Sequence, residues 1–136
     1  MASELKVDKF TGVTTAGSID VVGEGNSTTT NLQQGLAKAW VNYNSSTTIR
    51  DSLNISTLDD DGTGDYTAHV TNSFANDDFA VKTGGANGSA SVTAYCLSVF
   101  DYTTTSVEME TFAVSASSVA KADRAFNNLS VHGDLA

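Results

Sequence analysis

From residue 36 onward, apolar residues recur in segments of about seven to ten positions, alternating or continuous, separated by clusters of Gly, Asn, Asp and Ser. That period belongs to strands, whose successive side chains leave opposite sides of the backbone. In LAKAWVNYN (36–44), Ala37, Ala39, Val41 and Tyr43 share one face and Leu36, Lys38, Trp40 and Asn42 the other. IRDSLNIST (49–57) sets Ile49, Leu53 and Ile55 against Arg50, Ser52, Asn54 and Ser56, with Asp51 out of pattern. DYTAHVTN (65–72) turns Tyr66, Ala68 and Val70 inward and Thr67, His69 and Thr71 outward. DFAVKTG (78–84) reads as a short strand. SASVTAYCLSVFDY (89–102) is apolar on both faces, the pattern of a central strand covered twice. SVEMETFAVS (106–115) and AFNNLSVHG (125–133) complete seven strands. Between the last two, SSVAKADRAF has a capping residue, Ser118, and enough Ala and Lys for about two helical turns. The pattern predicts an all-β fold, an antiparallel β-sandwich of jelly-roll-like type over residues 36–136.

Residues 1–35 differ. KVDKF and SIDVV are short apolar pieces set in loop-forming, nearly uncharged sequence, TGVTTAGS and GEGNSTTTN. They predict an extended N-terminal arm that buries its valines and isoleucines on a partner, another copy or a larger assembly. The chain has no proline, so one common protection of sheet edges is missing and a neighbouring subunit is expected to cover them.

Composition sharpens this picture. The polar residues are mostly Ser, Thr, Asn, Asp and Gly, which favour strands and turns over helices. A length of 136 residues suits one domain. The net charge of -9 repels phosphates, so neither nucleic acid nor an anionic membrane is an expected partner. No apolar run approaches the roughly 18 residues of a membrane helix, so no membrane insertion is expected. MASELKVDKF lacks an apolar signal-peptide core, from which folding in a cytoplasm is expected. The single cysteine, Cys96, lies in an apolar run and reads as a small core side chain.

Candidate chemistry centres on TLDDDGTGDYT (57–67). Aligning Gly62 with the invariant glycine of an EF-hand sets Asp59 and Asp61 at ligand positions. It also puts Thr57 where the first carboxylate belongs and Ala68 where the bidentate glutamate belongs. A different calcium site built from Asp59, Asp61 and Asp65 is the remaining metal reading, while a hairpin turn between two patterned strands accounts for more of the stretch. His69 lies on a strand and His132 four residues from the chain end, and both read as surface or interface side chains; GVTTAGS (12–18) lacks a phosphate loop's lysine, and Glu108 and Glu110 read as a solvated face. The expectation is no catalytic residue and no cofactor. Trp40 and Tyr66 are the candidate stacking platforms for a sugar.

Taken together, GLAKAWVNYN, IRDSLNISTLDDDGTGDYTAHVTNSFANDDFAV and NNLSVHGD resemble a module of tailed-bacteriophage structural proteins, notably of marine short-tailed phages of cyanobacteria and other ocean bacteria. The opening SELKVDKFTG is similar to the start of fibre proteins in that group. His132 stands where the module has an aromatic or apolar residue, and the N-terminal arm is too short for a fibre shaft. The resemblance implies a virion protein, most simply a tail-fibre or tail-appendage subunit forming a homotrimer. Its other partners would be phage virion proteins and a host surface glycan or receptor. It leaves a capsid decoration (cement) protein as the alternative; a carbohydrate-binding module is the third reading.

Overall fold

The computed structural model describes residues 4–13, 19–23, 29–86, 94–115 and 117–136. The chain divides into two compact units, Met1–Leu36 and Ala37–Ala136.

In the first unit, β1 (Asp20–Val22) and β2 (Thr29–Asn31) pair antiparallel, and α1 (Leu32–Gly35) follows as a single turn. The Asn31 side chain caps that turn, accepting from the Gln34 backbone N–H at 3.0 Å. Part of the segment expected as an extended arm is therefore a small hairpin with a helical turn. Residues 4–13 carry no regular element, and Leu5, Val7, Phe10 and Val13 are exposed, Val13 at 93%.

The second unit is an all-β antiparallel sandwich. Its strands are β3 (Ala39–Tyr43), β4 (Ile49–Leu53), β5 (Ile55–Gly62), β6 (Asp65–Val70), β7 (Ala80–Ala86), β8 (Ala94–Tyr102), β9 (Ser106–Val114), β10 (Val119–Lys121) and β11 (Phe126–His132). One sheet has the order β4-β3-β11-β7. In the other, β9 is central: β8 pairs along one edge, while β6 and then β10 share the opposite edge, with β5 beyond β6. Alternation along each strand sends Ala39, Val41, Tyr43, Leu129 and Val131 from the first sheet against Tyr66, Ala68, Val107 and Met109 from the second. Tyr43 and Tyr66 meet edge to face across the two sheets, centroids 5.3 Å apart, a contact worth about 1 kcal/mol beyond burial alone. The Thr83 hydroxyl donates to the Leu97 carbonyl at 2.8 Å, tying β7 to β8.

Three expectations need correcting. The segment 49–57 is two strands in different sheets, because Asn54 turns left-handed at φ 57 and passes the chain from β4 to β5. Asparagine tolerates that conformation better than other side chains. Here its side chain also clasps Asn72, accepting from the backbone N–H at 2.7 Å and donating to the carbonyl at 3.0 Å. A bulge opposite Asn42 and Tyr43 reverses the facing within β4, so Leu53 lies beside Trp40 and is 47% exposed.

Residues 94–102 are not a strand covered twice: among the described residues β8 pairs only with β9, and Cys96 is exposed on its outer face. Residues 89–93 of that expected strand lie outside the described residues. Finally, the expected helical turns at SSVAKADRAF are β10 and an irregular return. Val119, Ala120 and Lys121 pair with Val114, Ala113 and Phe112, satisfying backbone groups of β9 that a two-turn helix would leave open.

Candidate functional site

The handover from β6 to β10 on the edge of β9 organises one outer face. Thr111 sits in the gap. Its N–H donates to the Gly64 carbonyl at 2.7 Å, its carbonyl accepts from Ala122 N–H at 3.0 Å, and its hydroxyl donates to the Ala122 carbonyl at 2.6 Å. Asp123 closes the junction from the far end of β10: one oxygen accepts from Gly64 N–H at 2.7 Å and from the Tyr66 hydroxyl at 3.1 Å. Gly64 has φ +74, and a β-carbon there would lie 2.6 Å from the Thr111 carbonyl oxygen. Only glycine meets both demands.

This junction sets Lys121 beside Asp65 and Glu110, which are themselves cross-strand partners. The ammonium reaches the two Asp65 oxygens at 2.6 and 2.8 Å and a Glu110 oxygen at 2.7 Å. Hydrogen bonds to Asp65 first, and to Glu110 second, raise the Lys121 pKa. It stays protonated, which suits bridging carboxylates and not nucleophilic attack. A shallow groove of about 260 Å³ runs along this face, bordered by Asp61, Asp65, Thr67, Phe100, Glu110 and Lys121 among others.

The proposed calcium ligands are not brought to one point. Asp59 pairs with His69 at 3.1 Å, Asp61 accepts from the Thr67 hydroxyl at 2.6 Å, and Asp65 is held by Lys121. Asp59–Asp61 belong to β5, so the turn itself is the short stretch Thr63–Gly64. Among the described residues no group of three His, Cys, Asp or Glu side chains is placed to hold a metal ion. No hydroxyl or thiol among them is hydrogen-bonded to the His69 ring, and His132 lies at 3.4 Å from the Ser130 hydroxyl on the other sheet. Most of GVTTAGS lies outside the described residues.

The two candidate aromatic platforms part company. Tyr66 is 1% exposed, enclosed against Tyr43, so its ring faces cannot receive a sugar. Burial, then the hydrogen bond to Asp123, pushes its hydroxyl above the usual tyrosine range. Trp40 is partly exposed on the outer face of the four-stranded sheet, in the cross-strand row Leu53, Trp40, Ser130, Lys82. The next row is Asp51, Asn42, Asn128, Gly84.

Sequence reasoning missed Thr111 and Asp123 altogether. The Gly-Thr-Gly spacing before Tyr66 was a signal for a tight turn, but nothing near Asp123 announces a partner 57 residues away. Among the described residues no helix is long and apolar enough to cross a membrane.

The fold therefore defines the chain as an antiparallel β-sandwich with a separate small N-terminal unit. Compared with protein-family models, curated proteins and solved structures, the chain matches none of them.

Proposed function

We propose that this chain is a structural protein of a tailed-phage particle, a tail-fibre or tail-appendage subunit that assembles as a homotrimer and takes part in host attachment. It holds no cofactor and performs no catalysis in this reading. The observation that carries it is the ordered series of sequence blocks resembling phage fibre modules. AKAW leads into β3, IRDS forms most of β4, GTGDYT makes the β5–β6 hairpin and FAV enters β7, all within one sandwich. The blocks include residues the sandwich depends on, since Gly64 and Tyr66 both bond Asp123.

Exposed apolar residues in the N-terminal unit support assembly. Leu5, Val7, Phe10, Val13, Val21 and Val22 present side chains to water that a subunit interface would bury. The same residues suit a capsid decoration protein clamped to a shell, which makes copy number and position the discriminating quantities. Electron microscopy of intact particles with antibody against this chain tests the proposal. A few copies at the tail are expected. Hundreds of copies on the shell would replace the fibre reading by the cement reading, and absence from the particle would end both.

A further inference from the structure

The two outer faces of the sandwich differ in charge. On the β9 sheet, Asp59, Asp61, Asp65, Asp101, Glu108 and Glu110 share a face with Lys121, the single lysine or arginine there among the described residues. The four-stranded sheet is the reverse. Its outer face carries Arg50 and Lys82 against Asp51, in a chain whose net charge is -9. An anion therefore meets less repulsion at the four-stranded face than at the β9 face.

The four-stranded face also carries Trp40. Beside it on the next strand lies Ser130, and Lys82 is one strand further, about 10 Å away at an interstrand spacing of about 4.8 Å. Asn42 and Asn128 form the neighbouring row. Among the described residues no hydrogen bond engages the Asn128 amide, the Lys82 ammonium or the Trp40 indole, so all three are available to a ligand. Gly84 lets Asn128 lie flat: a β-carbon there would sit 2.9 Å from the Asn128 side-chain oxygen. The Arg50 guanidinium is fixed at the border, donating to Asn42 at 3.2 Å and to the Ala125 carbonyl at 2.8 Å, with Phe126 beneath it at 4.5 Å.

We infer that the outer face of the four-stranded sheet, centred on Trp40, binds an acidic oligosaccharide. The apolar side of one sugar ring packs on the indole, Asn128 and Ser130 bond ring hydroxyls, and Lys82 meets a carboxylate on the adjoining sugar. This goes beyond assembly into a particle and does not depend on it.

The test is binding of the purified full chain to a printed panel of neutral oligosaccharides and of their uronic- or sialic-acid-bearing counterparts. Binding to acidic members is expected, weakening as salt is raised. Trp40→Ala should reduce it roughly tenfold or more, Trp40→Tyr should restore most of that loss, and Lys82→Ala should reduce binding about threefold and flatten its salt dependence. Phe100→Ala, on the opposite outer face, should change nothing. Far-ultraviolet circular dichroism of each variant checks the fold. No binding to acidic members, or binding that a folded Trp40→Ala variant retains, would overturn the inference. A chain found in particles but silent on the panel would sink this inference and leave the assembly reading standing.

Discussion

Replacing Gly64 by alanine perturbs the point where β6 gives way to β10. Two costs add there. An alanine at φ +74 pays the left-handed backbone penalty of about 1 kcal/mol. Its β-carbon also lands 2.6 Å from the Thr111 carbonyl oxygen and 2.8 Å from the Ala122 nitrogen, both backbone atoms, and relieving that overlap costs about 2 kcal/mol. The sum, about 3 kcal/mol, is a large share of a small domain's stability. At roughly 4–8 °C per kcal/mol, the melting temperature should fall by about 12–24 °C. Thermal melts followed by circular dichroism measure the loss. If Gly64→Ala costs no more than the backbone penalty of about 1 kcal/mol, a fall of about 4–8 °C, the steric account of the junction is wrong.

Two further outcomes follow from the same structure. The Tyr43 and Tyr66 hydroxyls are raised above the ordinary value near 10, chiefly by burial, with Tyr66 adding to the rise at Tyr43 and the Asp123 hydrogen bond to that at Tyr66. Because the folded pKa exceeds the unfolded one, their neutral forms contribute full stability below about pH 10 and lose it as pH rises toward the folded values. Melting temperature should drop above about pH 10, and less steeply in Tyr43→Phe; parallel curves would contradict this. At the crossover between sheets, Asn54→Ala forfeits both the bonds to Asn72 and a tolerated left-handed backbone, for about 2–3 kcal/mol, while Asn54→Gly recovers about 1 kcal/mol of it by relieving the backbone. Equal urea midpoints for the two variants would refute that division.

What the sequence disclosed was local. The alternation that puts Val41 and Tyr43, or Tyr66 and Ala68, on one face needs only the strand period, and both pairs are buried. The reversal at Leu53 depends on a bulge fixed by pairing with β3, and the change of sheet at Asn54 depends on a clasp to Asn72. Cys96 was misplaced because an apolar run does not say whether its second face is covered. The site was legible to a similar depth. Alternation set Trp40 opposite Val41 and Tyr43 without saying whether that second face was core or solvent, and Tyr66, turned inward by its own alternation, is enclosed by Tyr43 and Asp123, partners distant in sequence.

The proposed homotrimer would bury the exposed apolar residues of the N-terminal unit between copies of the chain. Sedimentation velocity of the purified full chain at micromolar concentration tests it most directly. A single species near three times the 14.1 kDa chain mass is the predicted result, and a lone 14.1 kDa species would contradict it.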